Sequence, residues 1–412
     1  VPVFCWQGIE LESFDEDSEN LILDLIQSNF GFEIFTPGLE RSRPIYLSFV
    51  QKFKFINTKI ITVGGTNGKG QTCHTIHHYL NNAKINSALW TSPHILSIRE
   101  RFVYNNEQIS YSELENIIQK SILEIKKFGI QISFYEFLFF VFLNWVSKFD
   151  IKVLILEVGL GGRLDAVNHF DCDLAVITSI SRDHQAILGN SYLKILHEKL
   201  GIMRANKYLL TAFKSSYLNE ITEEETRIKN VNWISIPLEA NYYDTNIKVA
   251  QTALNKLGLV DKFDGIIPNF KGRNESLYFG NNKLLFIGAH NPDGFRESLK
   301  FINIQNYVPN YILLSFSKRD FKDLLSMLKM LNEASLSNCK IYLSGFNHPK
   351  AEAETILQDV LNSLCNNKRI EFIKDWKSFL NGIKNDFDKN QILLLGSYYF
   401  IGEVQRFVLN NK

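Results

Sequence analysis

The sequence has little of what assigns a chain to a specialised class. Its 412 residues hold five cysteines, three methionines and nine prolines. Cys5, Cys73, Cys172, Cys339 and Cys365 are scattered and form no CxxC pair. That excludes a disulfide framework and leads us to expect reduced thiols in a cytoplasmic protein. The formal net charge is only +1, so no global field favours nucleic acid or an anionic membrane as partner. Long hydrophobic runs are missing too. The most apolar stretch, FYEFLFFVFLNWV at Phe134–Val146, carries Glu136 inside it and falls short of the roughly 20 residues of a membrane span. It reads as a buried helix. The first residues bring Glu10, Glu12, Asp15, Glu16 and Asp17 in place of a basic patch and an apolar core, so no secretory signal is expected. Short-period repeats and low-complexity tracts are absent, and nothing points to an assembly larger than a monomer.

What is present is the balance of a globular protein, 45% hydrophobic and 22% charged. The length exceeds what one core usually supports, so two domains are expected. Residues 20–30 have helical spacing and stop at Gly31, and a second helix is expected near 44–54. KIITVGG then reads as a buried strand entering a glycine-rich loop, followed by a helix over 72–83 and a strand over 87–92. Helices over 112–128 and 134–147 and strands over 151–162 and 173–180 continue the rhythm. This alternation predicts an α/β chain with an N-terminal P-loop-type domain, a doubly wound and mostly parallel sheet. A second αβ series follows residue 270 and predicts a smaller C-terminal Rossmann-like α/β domain. Gly265, Pro268 and Gly272 punctuate the connection, and the boundary is set between domains 1–265 and 266–412.

Four constellations could carry chemistry. In ITVGGTNGKGQTCHT (Ile61–Thr75), Gly64, Gly65, Gly68 and Gly70 surround Lys69 between a strand and a helix. Backbone N–H groups and a helix N-terminus can close on phosphate oxygens there, with the lysine as a point charge. The same glycines would also serve a plain tight turn. Gln71 stands where a Ser or Thr would normally hold a metal. Glu157 ends a buried strand beside glycines, either as a magnesium ligand or as a paired structural carboxylate. His184, past another strand end, and Lys199 could be ligand and active amine, or a loop histidine and a solvated helix charge. His74 and His78 share a helix face beside His77, but a zinc site would need a third ligand that the sequence does not supply.

Taken jointly, GTNGKG, TSPH with RER, EVGLGGRLDA, TSI with DH and LG, EKLGI, a GR at the junction, AHNP and a GS near the C-terminus form one ordered pattern. Running from about Gly31 to about Glu403, it resembles the folylpolyglutamate synthase and dihydrofolate synthase family of Mur-type ATP-dependent amide ligases. The resemblance implies a central ATP-binding domain with pteroate- or folate-side loops and a C-terminal glutamate-ligase domain. It implies ATP and two magnesium ions as cofactors, with L-glutamate and dihydropteroate or a folate as substrates, joined through an acyl phosphate. Thr66, Asn67, Gly68, Lys69, Gly70 and Gln71 would hold the nucleotide phosphates, Asn246 would lie near the adenine, and Arg273 would reach the γ-phosphate. His290 and Asn291 would also serve the nucleotide. Ser92 and Glu157 would ligate one metal, and His184 and Lys199 the second, with Lys199 carbamylated. Lys69, His184, Lys199 and Arg273 would be the catalytic set. Leu39, Arg41, Pro93, His94, Arg163 and Asp165 would serve the acceptor, with Phe134 and Tyr135 as the wall behind its pterin.

The chain departs from the pattern at Gln71, at Val167 for a threonine, at Lys271 for a proline, at Lys318 for an aspartate and at Ile287 for an aspartate. The last would remove a ribose contact. Two other readings stand beside the leading one: a Mur-type ligase for another acid or amino acid, and a nucleotide-binding pseudoenzyme with a regulatory role.

Overall fold

The computed structural model describes residues 14–411, except 34–35, 37, 53–56, 264–271, 335, 337–338, 368 and 385–388. It divides into two compact units, one of residues 11–268 and one of 269–412. The predicted boundary at 265/266 and the departure at Lys271 lie outside the described residues. Among the described residues no helix is long and apolar enough to cross a membrane.

In chain order the first unit comprises α1 (Glu16–Phe30), α2 (Arg43–Lys52), β1 (Lys59–Gly64), α3 (Lys69–Asn82), β2 (Ser87–Trp90), β3 (Val103–Tyr104), β4 (Glu107–Gln108), α4 (Tyr111–Phe128) and α5 (Phe134–Val146). It continues with β5 (Val153–Glu157), β6 (Leu174–Ile177), α6 (Gln185–Leu188), α7 (Tyr192–Leu200), β7 (Tyr208–Thr211), α8 (Ser216–Ile228), β8 (Asn232–Ser235) and α9 (Tyr242–Lys256). The sheet runs β4-β3-β2-β5-β1-β6-β7-β8. From β2 to β8 the strands are parallel, and β3 and β4 are antiparallel. Apart from Lys59, every residue of β1, β5 and β6 is buried. Strands covered on both faces read as unbroken apolar runs, which is why these three were legible. Val63 pairs with both Glu157 and Val176, so the loops after β1, β5 and β6 leave the sheet side by side.

The apolar run over 134–146 is the expected buried helix, α5. Ser133 caps it and Glu136 bonds back to Ser133 in a capping box, which accounts for a carboxylate inside that run. Its Phe139 and Phe142 rings each lie 5.4 Å from Trp90. Burying one such ring contributes about 1.5–3 kcal/mol.

The second unit holds β9 (Arg273–Phe279), β10 (Asn282–Gly288), α10 (Pro292–Ile304), β11 (Tyr311–Ser315), α11 (Phe321–Glu333), β12 (Lys340–Ser344), α12 (Glu354–Asn362), β13 (Ile370–Ile373), α13 (Trp376–Lys384), β14 (Gln391–Gly396) and α14 (Tyr398–Asn410). Its sheet runs β13-β12-β11-β14-β10-β9, parallel except for β9. The sequence did not reveal β3, β4, β7, β8 or β9. The first two are two residues long, β8 is half exposed at the sheet edge, and β9 mixes buried and exposed positions. None of these carries a strong periodic signal.

Candidate active site

The turn after β1 is built by glycines at positive φ and stitched to the loop after β6. Gly65 has φ +139, and a Cβ there would lie 2.0 Å from Thr178 Oγ1; Gly68 has φ +90 and abuts Asn246. The Thr66 N–H donates to Ser179 O (2.9 Å), and the Asn67 N–H donates to Ser179 Oγ (2.9 Å). Thr178 Oγ1 and Ser179 Oγ both donate to Asn67 O, at 2.6 and 3.0 Å. Thr66 Oγ1 accepts from the Ser181 N–H and donates to Ser181 O. The Thr66 and Asn67 amides thus hold the turn in shape. At the start of α3, Gly68 supplies no side-chain cap and the first-turn N–H groups of Lys69, Gly70 and Gln71 have no intrahelical acceptor.

Two lysines converge on this turn. Lys69 Nζ donates to Gly65 O (3.3 Å) and Thr66 O (3.4 Å), and Lys199 Nζ donates to the same Gly65 O at 2.9 Å. Lys199, near the end of α7, is 3% exposed. Burial and the neighbouring Lys69 charge bring its amine down to about 7, against the opposing pull of Asp183. Two cations on one carbonyl are uncomfortable unless an anion joins them. The buried Asp183 follows the β6 loop, and its Oδ1 accepts the His184 N–H at 3.0 Å. The His184 ring is exposed, 3.9 Å from Asp183 Oδ2.

Gln71, the residue out of place in the loop motif, has a structural task. It is buried, its Nε2 donates to Tyr243 O (3.2 Å), and its Oε1 accepts from Asn246 Nδ2 (2.7 Å). It therefore fastens α3 to α9, and the Asn246 amide expected beside the adenine is engaged with it. Thr72 bonds back to Gly68 O (3.1 Å) and offers no replacement for the missing metal ligand. His77 is buried between Ser87 Oγ (2.9 Å) and Asn105 O (2.5 Å). Burial lowers its pKa to about 4. Among the described residues no group of three or more His, Cys, Asp or Glu could hold a metal.

Beyond β2, Ser92 and Glu157 meet. The Ser92 N–H donates to Glu157 Oε2 at 3.1 Å, and both residues are buried. Among the described residues Ser92 Oγ has no hydrogen-bond partner. An unsatisfied buried hydroxyl costs about 1–3 kcal/mol. Set beside a buried carboxylate, it makes an oxygen donor pair of the kind a hard divalent cation takes, so the residues fit magnesium. The segment carrying Ser92 is held by groups that sequence reading passed over. Glu100 accepts the N–H groups of Ile95, Leu96 and Ser97 at 2.8–3.0 Å. The fully buried Arg101 donates to His94 Nδ1 (2.9 Å) and bidentately to Glu33 (3.0 and 2.9 Å). His94 is thus an anchored acceptor with Pro93 half buried beside it; the RER triplet was the available signal.

Several expected acceptor-side residues prove to be internally engaged. The Asp165 carboxylate takes the N–H groups of Gly159, Leu160 and Val167 and the Tyr135 hydroxyl, at 2.9–3.2 Å. Burial nevertheless pushes its pKa up to about 6. Arg163 is exposed and paired with Glu198 at 2.7 Å. Arg41 places one Nη2 2.8 Å from each oxygen of Glu136 and 2.9 Å from Thr36 O; Leu39 is half buried beside it. Phe134 is core, while Tyr135 is half buried. Val167 lies fully in the core.

In the second unit, Arg273 stands at the start of β9 with its guanidinium 5.0 Å from the centre of the Tyr398 ring, and the His290 ring lies 5.3 Å from the same centre. Asn291 is fully buried and caps α10, its side-chain oxygen accepting the Gly294 N–H at 2.8 Å. Ile287 is buried in β10 between Arg273 and Leu395. The Lys318 N–H donates to Lys350 O.

No family model matches the chain. The dihydrofolate synthase/folylpolyglutamate synthase of Buchnera aphidicola subsp. Schizaphis graminum is 34% identical over 219 residues, 51% of this chain and 52% of that protein. The chain therefore spans about half of that relative. The protein of the same name from Buchnera aphidicola subsp. Baizongia pistaciae is 28% identical over 388 residues, covering 85% of this chain and 87% of its own length. A crystal structure of a bifunctional folylpolyglutamate synthase/dihydrofolate synthase with Mn, AMPPNP and L-glutamate bound superposes with a TM-score of 0.75 at 23% identity, over 90% of this chain and 94% of that one. At that identity the likeness is one of fold.

Proposed function

We propose that the chain belongs to the dihydrofolate synthase/folylpolyglutamate synthase family, to members of which it is 26–28% identical over 85–90% of its length, and that it is an ATP-dependent ligase joining L-glutamate to dihydropteroate or to a folate. The observation that carries the reading is the meeting of Lys69 and Lys199 on Gly65 O. A turn that only linked a strand to a helix would gain nothing from two amines on one carbonyl, one of them the buried Lys199, whereas nucleotide phosphates would satisfy both. The solved relative holds an ATP analogue, a divalent metal and L-glutamate, the three small molecules this reaction needs besides the acceptor.

In the proposed reaction the acceptor carboxylate attacks the γ-phosphorus of ATP, ADP leaves, and an acyl phosphate forms. The glutamate amine then displaces phosphate from the activated carbonyl. Lys69 and the N–H groups opening α3 offset the negative charge that gathers in the first step. Ser92 and Glu157 would hold a magnesium ion, which when bound supplies positive charge to the phosphate oxygens. Lys199, with an amine titrating near neutrality, would add CO2 and release a proton, turning a buried cation into a carbamate. Together with His184 that carbamate would complete the second metal site. Because Gln71 is a helix-to-helix brace, its presence is no argument for a chain that only binds nucleotide. We further propose a monomeric, cytoplasmic enzyme; sedimentation with and without Mg-ATP reads the oligomeric state.

The test is ADP release with Mg-ATP and L-glutamate, adding dihydropteroate, tetrahydrofolate or neither. Release only with an acceptor present is expected, and the better acceptor names the substrate. Acceptor-independent or absent release would overturn the reading. Protein exposed to mild acid without bicarbonate should lose activity and regain it on bicarbonate addition. Activity indifferent to bicarbonate would remove the carbamate from the scheme.

A further inference from the structure

Gln71 and Asn246 meet directly behind the turn that opens α3. Both are buried, and both polar ends of Gln71 are used: Oε1 accepts from Asn246 Nδ2 at 2.7 Å, and Nε2 donates to Tyr243 O at 3.2 Å. The Asn246 amide also lies against Gly68, where a Cβ would be 2.7 Å from its Nδ2 and 2.8 Å from its Oδ1. Gly68 immediately precedes Lys69, and its carbonyl accepts from the Thr72 N–H and hydroxyl at 3.0 and 3.1 Å. Beyond the turn, α3 and α9 are joined by apolar packing, with Ile76, Tyr79 and Leu80 in one cluster with Val249, Ala250 and Ala253. The amide pair stands at the end of that contact nearest the glycine turn. A fully satisfied polar pair in such a contact specifies one register and makes it rigid.

We propose that Gln71 and Asn246 are positioning residues for phosphate. They fix the start of α3 against α9, and so set where Lys69 and the N–H groups of Lys69, Gly70 and Gln71 stand when a triphosphate binds. The inference rests on the nucleotide reading of this turn and deepens it, and every residue it uses belongs to the first unit. A serine or threonine at 71 offers a single oxygen, whereas glutamine offers a separate donor and acceptor. The exchange at this position therefore replaces a local hydroxyl with a tether to another helix. Donors held in place before the ligand arrives need no ordering on binding.

The experiment measures equilibrium binding of ATP, GTP and inorganic tripolyphosphate, with divalent metal chelated, to the wild-type chain, Gln71→Met, Asn246→Leu and the double variant. Gln71→Met keeps the length of the side chain and neither of its hydrogen bonds. It is expected to weaken ATP and tripolyphosphate by the same factor, about tenfold, and to leave the ratio of ATP to GTP affinity unchanged. The double variant should bind less than about twofold more weakly than either single one, because coupled residues are not additive. Gln71→Thr, a smaller polar change, should repeat the loss and serves where Gln71→Met does not fold. Denaturant midpoints are read alongside, since a merely structural brace would lower the midpoint and leave the tripolyphosphate affinity of the folded chain as it was. Unchanged tripolyphosphate affinity in the position-71 variants, additive losses in the pair, or a shifted ATP-to-GTP ratio would overturn the positioning role alone. A wild-type chain that binds neither ATP nor tripolyphosphate would overturn the nucleotide reading and this inference with it.

Discussion

Lys69→Ala is expected to cut ADP release by about two to three orders of magnitude, the usual effect of removing one fixed donor from developing negative charge, without unfolding the chain. The side chain projects from the first residue of α3 onto the carbonyls of Gly65 and Thr66. It packs no core, so the fold does not depend on it. Its removal also relieves the repulsion that helps to depress Lys199. The Lys199 amine should then titrate higher, leaving less neutral amine at pH 7 to take up CO2. The sign of the stability effect follows from linkage. Lys199 titrates near 7 in the folded chain and near 10.5 unfolded, so stability is fully present above the unfolded value and is lost as pH falls toward 7. Raising the folded value narrows that window, and Lys69→Ala should be at least as stable as wild type at pH 7. Denaturant midpoints across pH 7–10 check this, and unchanged turnover would show that the turn does not face the phosphates.

Gly65→Ala should act in the opposite way, through the fold. At φ +139 an L side chain is strained whatever the space, and here its Cβ would meet Thr178 Oγ1 at 2.0 Å and Thr178 N at 3.0 Å. The threonine cannot move aside freely, because its hydroxyl bonds Asn67 O at 2.6 Å and its N–H bonds Gly64 O at 3.0 Å. A loss of about 4 kcal/mol or more is expected, in the range of severe backbone and overpacking effects. Gly129→Ala is the control: φ is +62 with nothing within 4 Å of the new Cβ, so only the left-handed backbone penalty of about 1–2 kcal/mol remains. Equal midpoints for the two variants would mean that the clash is relieved elsewhere.

How much of this was legible in the sequence varied with the kind of signal. The fully buried strands and α5 are continuous apolar runs, and a glycine-rich turn with a lysine points to its own geometry. Ser92 and Glu157, expected from motif resemblance to ligate a metal, are joined by a hydrogen bond. What spacing could not convey is which polar groups are already engaged. Asp165, Arg41 and Asn291 resemble ligand contacts in a motif, yet their partners come from N–H groups, Glu136 and a helix cap. Gln71 looked like a defect because its partner Asn246 lies far along the chain on another helix. Tyr398 gave no signal at all, since an aromatic residue after a Gly-Ser pair is unremarkable until the neighbouring strands deliver Arg273 and His290.

The bonds between the β1 turn and Ser179 bear on the thermodynamics of the site. Ordering a free backbone residue costs about 1–2 kcal/mol of conformational entropy, and a floppy four-residue loop would charge that against every ligand it closed on. Here Thr66 and Asn67 are locked by the loop after β6 before any ligand arrives. Association therefore needs to settle side chains and displace water but not to freeze main chain. On the proposed reading, phosphate binding and release at this turn would need no refolding step.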